Sequence, residues 1–524
     1  MTVEVAFAPI DVVAAARELV AGLRIHPWGR VSTSVYETGR LVALAPWLRG
    51  HRERVTYLMG GQREDGGWGG PDGYALVPTL SATDALLPEA GGAAAAADRG
   101  VAVLHSWLRG PVSLPDMPAI ELIIPALVES INARLHRHGR MPLPLPPEAD
   151  GSALARLRAV LAAGRAVPEK LMHAWEVVHP FSLHERVDGP IGASPAATAA
   201  WLGNGGAPAV DDPGRRYLEA VADRYGGPVP CAAPITVFER AWVLSWLAEA
   251  GVPLAVPESL LRELDVAVGP TGTPAGRGLP QDADTTAMAL SALAQLGAVR
   301  EPDSLWAYET GTHFCTWQGE DGRSVSVNAH VLEAFGHYLR TGPERASRYA
   351  DATRRLTTWL ADQQDPDGSW LDRWHASPFY ATACCALALD RFGEGPAARV
   401  AVDRAVDWVL DTQRPDGSWG CGRAQARKPG TRCVFCLLVR MVAQKVRLCV
   451  ATRMFHAHFK ASRSTDQVIH RCGTTKISIC RKRSFEPPCS PRYTRHNAIS
   501  HDRRYTFRSV RCRPRGLRDH SRRC

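Results

Sequence analysis

Gln364-Asp365-Pro366-Asp367-Gly368-Ser369-Trp370 returns 49 residues later as Gln413-Arg414-Pro415-Asp416-Gly417-Ser418-Trp419. An earlier copy reads Gln62-Arg63-Glu64-Asp65-Gly66-Gly67-Trp68-Gly69, and Trp317-Gln318-Gly319-Glu320-Asp321-Gly322 is a degenerate relative. The stretch has a physical logic: Gln bonds a free helix terminus, Asp-Gly makes a tight turn, and Trp packs over the junction. These are structural staples, and their spacing suits a repeat of helical pairs. Helical periodicity surrounds them, over Val12 to Leu23, Ala155 to Ala163, Val237 to Ala250, Asp284 to Leu296, Val327 to Leu339, Arg348 to Gln363, Tyr380 to Arg391 and Val400 to Thr412. Few segments alternate as strands do, and Gly/Pro-rich stretches such as Gly203 to Pro213 and Val268 to Leu279 separate the helices. The reading is an all-α chain of helix–turn–helix units.

A second stretch carries the chemistry: Gln281-Asp282-Ala283-Asp284-Thr285-Thr286-Ala287-Met288-Ala289. Asp282, Asp284 and Thr286 are expected to alternate on a short extended segment, with a helix from Thr286 to Leu296. The two carboxylates then crown a helix N-terminus, where the dipole and free N–H groups orient them. Taken alone, D-x-D-T-T reads rather as an Asp cap with a solvated neighbour; the surroundings change that reading.

The chain of 524 residues is 45% hydrophobic and 22% charged, which suits two or more globular domains. No apolar run is long enough for a spanning helix, and Met1 to Val20, with Glu4, Asp11 and Glu18, does not read as a signal peptide. The net charge of +9 hides an asymmetry. Lys428 to Cys524 holds 24 Lys+Arg against 4 Asp+Glu, net +20, leaving 38 against 49, net −11, for the rest. That stretch also holds eight of the 13 cysteines and none of the 15 tryptophans. An acidic body is joined to a basic, Cys-rich tail. The five scattered cysteines of the body point to a reducing cytoplasm.

Three Gln–Trp turns with D-x-D-T-T resemble the terpene cyclases that start by protonation: class II diterpene cyclases and, more distantly, squalene–hopene cyclases. The resemblance runs from about Val31 to Gly420. It includes Ser34-Val35-Tyr36-Glu37-Thr38-Gly39, Glu121 to Leu127, Leu171-Met172-His173-Ala174-Trp175-Glu176, Ser194 to Ala199, Val229-Pro230-Cys231 through Phe238-Glu239-Arg240, Ser326-Val327-Asn328-Ala329-His330-Val331-Leu332, and Asp372-Arg373-Trp374-His375 through Tyr380. The bacterial subgroup with threonine after the second aspartate is the best match.

The resemblance implies two α/α double barrels, β and γ, with the active site between them. Residues 1–30 are expected to form the first β helix, 31–247 the γ domain and 248–423 the rest of β. No Asp-rich class I motif is evident, so a diphosphate survives the reaction. The implied activity is protonation-initiated cyclisation of geranylgeranyl diphosphate to a bicyclic labdane-type diphosphate: copalyl diphosphate, in the ent or another series, or a rearranged halimane or clerodane relative. By resemblance Asp284 is the acid, poised by Asp282, with Asn328 beside it and Thr285 where many relatives have a third Asp. Alone, Asn328 reads as a helix cap. His173 stands where relatives have the His of a water-holding dyad, and Cys231 replaces the Asn of that dyad. His173 is therefore either the terminating base or a packing residue. Arg373 and, more loosely, Arg156 and Arg158 are candidate diphosphate ligands, with Trp374 among the aromatics that line a carbocation's path. Asp116 and Glu121 are remnants of an acidic Mg²⁺ motif. Surface charge is the alternative reading for each of these ionised groups. A class I synthase is the expected downstream partner; neither a nucleic-acid partner nor a membrane span is expected.

After Gly420, relatives continue with an Glu-Glu-Thr-containing helix. This chain instead turns to Cys421-Gly422-Arg423-Ala424 and the basic tail, 424–524. The abrupt shift reads as a change of reading frame near Ala424 to Lys428. A nucleic-acid-binding tail is the alternative, and Cys433-x-x-Cys436 lacks a second pair at zinc-finger spacing. The competing functions are a triterpene cyclase and a non-catalytic α/α barrel.

Overall fold

The computed structural model describes residues 11–414 and Trp419, apart from 71–72, 111–112, 166–167, 179–188, 204–205, 321 and 345. The basic tail lies outside the described residues, as do Asp416, Gly417 and Ser418 of the last Gln–Trp turn. Helices dominate, as the sequence reading expects, and no described helix is long and apolar enough to cross a membrane. The one sheet among the described residues pairs Thr273–Pro274 antiparallel with Gln281–Asp282.

The helices sort by what they bury. The largest core gathers Leu244, Leu264, Met288, Val331, Phe335, Leu356 and Cys385 from helices between Thr236 and Asp411. The first helix, Val12–Ile25, joins it through Ala16, Val20 and Leu23. Smaller cores fill the intervening segment, one around Leu80, Leu104, Ile124 and Leu127, another around Leu41, Leu218 and Val221. The helix Thr236–Glu249 corrects the expected division at residue 247: Ala241, Trp242, Leu244 and Leu247 pack in the largest core, so by packing the intervening segment ends before Thr236.

The Gln–Trp turns are built alike. The Gln62 side-chain amide donates to the Gly66 carbonyl at 2.9 Å and the Ala96 carbonyl at 2.8 Å. Gln364 does the same to Gly368 at 2.9 Å and Ala401 at 2.8 Å. Trp68 and Trp370 are fully buried, and their indole N–H groups donate to Leu58 (2.6 Å) and Leu360 (2.8 Å). Their backbone N–H groups reach the hydroxyls of Thr79 and Thr382 in the next helix. Gly66 and Gly368 sit at φ +89° and +98°, conformations open mainly to glycine. The sequence reading gave Gln a free helix terminus; instead it reaches carbonyls inside the helices Gly92–Leu108 and Gly395–Asp411. The clasp therefore ties three chain segments together rather than capping one. Trp419 repeats the indole bond, to the Val409 carbonyl at 2.7 Å.

Candidate active site

The helix that carries the aspartates begins at Ala283, three residues earlier than expected, and runs to Gln295. Only Gln281 and Asp282 are extended. Asp282 is thus the N-cap and Asp284 lies in the first turn, so the two side chains leave the helix in different directions. The Asp282 carboxylate accepts from the Thr285 N–H at 2.6 Å, which fixes Thr285 in place. Burial, more than the neighbouring Asp284 charge, pushes the Asp282 carboxyl up to about 7. The Thr286 hydroxyl donates to the Asp282 carbonyl at 2.5 Å and accepts from the Thr273 N–H at 2.9 Å, welding the strand pair to the helix.

Asp284 points the other way. Its Oδ1 lies 2.6 Å from Nδ1 of His330, which is buried while the Asp284 side chain stays 18% exposed. Burial opposes a charge on His330, but the Asp284 carboxylate outweighs it, and the net shift of the imidazole is well upward. The short contact sets the ring nitrogen of His330 in line with Oδ1 of Asp284 and leaves Oδ2 outside that bond.

His330 takes the place assigned to Asn328, and this is a correction. Asn328 accepts from the Phe314 N–H at 2.8 Å and donates to the carbonyls of Phe314 (2.9 Å) and Ser324 (2.8 Å). Its amide is spent on holding the Phe314 loop. Two residues along a helix is about 200° of rotation, so Asn328 and His330 face opposite sides.

Aromatic rings stand around the pair. Trp242 meets His330 edge-on at 5.5 Å between centroids, Phe238 stacks on Trp242 at 3.9 Å, and the Trp242 indole donates to the Tyr380 hydroxyl at 3.0 Å. His375 lies 3.8 Å from the Tyr380 ring, and burial lowers its pKa, with the His330 charge acting the same way. The loop from Phe314 to Glu320 ties this wall to the next group. The Thr316 carbonyl accepts from the Ala283 N–H at 2.9 Å, and the Thr316 hydroxyl meets the Trp374 indole at 3.3 Å. Trp374 packs edge-on against Trp317 at 5.1 Å.

Arg373, beside Trp374, is largely buried and bonds Glu320 at 2.9 Å, with Asp116 3.6 Å away. Its Nε has no partner. The guanidinium is thus held by carboxylates but keeps one unmet, buried donor. Asp116 is 72% exposed, and Glu121 stands exposed in the first turn of the helix Ile120–Arg137. Hard carboxylate oxygens suit Mg²⁺. The two are not drawn into one cluster with further ligands: no group of three His, Cys, Asp or Glu fit to hold a metal occurs among the described residues. Arg158 pairs with Glu129 at 2.8 Å, away from Arg373's partners.

His173 lies in a turn of 3₁₀ helix, Glu169–Ala174, with Nδ1 2.6 Å from the Gly192 carbonyl. A carbonyl only accepts, so Nδ1 carries the hydrogen and the neutral ring leaves its lone pair on Nε2. A side chain at residue 192 would collide with His173, a Cβ there coming within 2.4 Å of its Cα. Cys231 is open to solvent by area, yet protein encloses it enough for burial to push the thiol up to about 11.

The sequence reading assigned no role to Glu37 and Glu176, although both stand in quoted segments. Both are buried; Glu37 bonds Ser194 and the Ala196 N–H, and Glu176 accepts from the Tyr36 hydroxyl. Burial first, and then the Glu176 charge, push Glu37 from 4.5 up to about 8. The folded state therefore binds more protons than the unfolded chain between these values. The stability from this group is full below the unfolded pKa and declines as pH rises through the folded one. Glu37→Gln keeps an acceptor for Ser194 and Ala196 and offers Glu176 a donor. Denaturant unfolding at about pH 6 and about pH 9 is expected to show a shallower loss with pH for this variant. An unchanged slope would remove Glu37 as its source.

Comparison with known proteins places the chain. Residues 318–430 match the family model of the squalene-hopene cyclase C-terminal domain. The chain is 43% identical over 408 residues to a Streptomyces sp. (strain KO-3988) protein named ent-copalyl diphosphate synthase, a match covering 75% of this chain and 78% of that one. It is 42% identical over 440 residues to labda-7,13-dienyl diphosphate synthase of Streptomyces clavuligerus, covering 76% and 78%. Among solved structures, ent-copalyl diphosphate synthase from Streptomyces platensis superposes with a TM-score of 0.77 at 42% identity, covering 86% of this chain and 92% of that one. With relatives this similar over this much of its length, the chain belongs to the bacterial class II diterpene cyclases and is an enzyme of the cyclase type.

Proposed function

We propose that the enzyme protonates the terminal alkene of geranylgeranyl diphosphate and closes it to a bicyclic labdane-type diphosphate, with the diphosphate retained. The observation that carries this reading is the 2.6 Å contact between Asp284 and His330 at a helix N-terminus, under an aromatic wall. Protonating an alkene makes a tertiary cation and needs a strong acid. A ring N–H donating to Oδ1 leaves Oδ2 to carry the acid proton, sharpens that proton's acidity, and stabilises the carboxylate left behind. Asp282 holds the helix start and adds a second carboxyl that burial pushes up to about 7. The faces of Trp242 and Trp374 stabilise cationic character without offering a nucleophile.

The Arg373 guanidinium, with its unmet Nε donor, is the ligand proposed for the diphosphate. Mg²⁺, with Asp116 and Glu121 as its protein carboxylates, would neutralise diphosphate charge. His173 is proposed as the terminating base, because its bond to Gly192 leaves Nε2 free to accept a proton. Cys231→Asn is expected to keep turnover within a few-fold and change the ratio of products; gas chromatography of the dephosphorylated products reads it, and an unchanged ratio would take residue 231 out of the termination step. The product passes to a class I synthase that ionises the diphosphate. A reducing cytoplasm fits the four unpaired cysteines of the described residues.

The test is incubation with geranylgeranyl diphosphate and Mg²⁺, then phosphatase and mass spectrometry. A bicyclic diterpene alcohol is expected. Geranylgeraniol alone, or cyclisation of squalene in its place, would sink the reading.

A further inference from the structure

An isomerisation started by an acid leaves that acid one proton short after every turnover, while the terminating base gains one elsewhere. On the reading that Asp284 is the acid, something must reload it. Its one hydrogen bond among the described residues is to His330, so the supply runs through or around that ring.

Near His330 lies a carboxyl group that neither the fold nor the cyclisation explains. Glu333 follows three residues later on the helix Val325–Leu339, roughly 4.5 Å further along its axis and on the same side. It is 7% exposed. Cys384, a hydrogen-bond partner of His330, stands close to both. Beyond Glu333 is Arg391, 3.9 Å away, which also binds Glu249. These three groups come from the C-terminal parts of three helices, Thr236–Glu249, Val325–Leu339 and Pro378–Phe392. The Glu249 side chain is 5% exposed and that of Arg391 21%, so the cluster opens to water at the arginine.

The charge count is uneven. One guanidinium faces two buried carboxyls, and a purely structural ion pair needs only one. Burying the surplus carboxylate in ionised form is costly, so it keeps a proton. Burial first, and then the charge of Glu249, push Glu333 up to about 7, against the opposing pull of His330 and Arg391. A carboxyl that is half protonated near neutrality takes a proton from water and gives it up with little cost either way.

We propose that Glu333 is the proton store that reloads Asp284 through His330. Glu333 releases a proton to the imidazole as the imidazole releases one to the Asp284 carboxylate. In balance, Glu333 loses one proton and Asp284 gains one; the imidazole gives up the hydrogen on Nδ1 and takes one on Nε2, and exchange with solvent restores its starting tautomer. Glu333 then recovers a proton from solvent at the Arg391 end. No bond to carbon forms or breaks in this step.

Rapid-quench kinetics with geranylgeranyl diphosphate test it. In Glu333→Gln the first turnover draws on an already loaded Asp284, so its rate is expected within about twofold of the unmodified enzyme. Later turnovers are expected to slow about tenfold or more, leaving a burst of one product per active site. The slow phase should slow further in D₂O, and Glu333→Asp should restore part of it. If Glu333→Gln fails to fold, Glu249→Gln keeps Glu333 in place while removing the charge that holds its proton, and is expected to show the same split in milder form. First and later turnovers falling together, or neither changing, would overturn the relay. The unmodified enzyme's trace separates the two readings: no cyclised product at all would sink the substrate assignment and the relay with it, whereas normal cyclisation without the split sinks the relay alone.

Discussion

Asp284→Asn is expected to leave the enzyme folded and to cut formation of cyclised product by about 10²–10⁴-fold or more. The amide is nearly isosteric, its oxygen can still accept from His330, and the helix keeps its Asp282 cap. Only the transferable proton is lost. The effect must therefore appear in the chemical step, read in single turnover by mass spectrometry of the dephosphorylated product, with unfolding unchanged. Asp282→Asn makes the sharper comparison. It preserves an acceptor for the Thr285 N–H, so a much smaller loss is expected than at Asp284. Equal losses at both positions would mean that the proton belongs to the pair and not to Asp284. An Asp284→Asn enzyme retaining a tenth of the activity would remove Asp284 from the acid role.

Trp370→Ala is expected to cost about 3–5 kcal/mol, the range for truncating a large buried aromatic. The side chain is fully enclosed, its indole holds the Leu360 carbonyl, and its backbone N–H is met by Thr382. Truncation opens a cavity in the junction between helices and strands a carbonyl at the end of Ala346–Asp362. Trp370→Phe separates the two contributions. It fills most of the volume and loses the indole bond, a difference worth about 1 kcal/mol from the hydrogen bond alone. Denaturant unfolding measures both. A loss below about 1 kcal/mol for the alanine variant would show that the clasp closes around a site able to collapse.

The sequence disclosed several helices that carry an apolar stripe. The expected segments Val12 to Leu23 and Arg348 to Gln363 lie within Val12–Ile25 and within a residue of Ala346–Asp362. It was silent on some helices that are enclosed all round. Leu76–Leu86 buries nearly every residue, Thr79, Ser81, Thr83 and Asp84 included, so no periodic contrast marks it. Pro195–Leu202 is hidden for the same reason. At the site, the acidic pair was legible through its company, the Gln–Trp turns and the other quoted segments, since alone it reads as a helix cap. Its partner was not. Asn328 and His330 stand in one quoted segment, and only packing decides which face of the Val325–Leu339 helix meets Asp284. Arg373 was found as a cation, but its embrace by Glu320 and Asp116 depends on loops far apart in the chain. Glu37 and Glu176 escaped because a buried carboxyl looks the same in sequence as a solvated one.

The clasps at Gln62 and Gln364 share the same hydrogen bonds, the same glycine geometry and the same threonine in the following helix. So detailed a correspondence is the mark of a duplicated ancestral unit. Each clasp closes within about 40 residues of chain, the size of one helical repeat, and draws no bond from the other. After duplication, one copy could acquire an acid and its imidazole while the other drifted under no demand but to remain folded. Selection for a new product can then act on residues such as Cys231 in one lineage of helices, and the apparatus that makes the first proton dangerous stays untouched in the other.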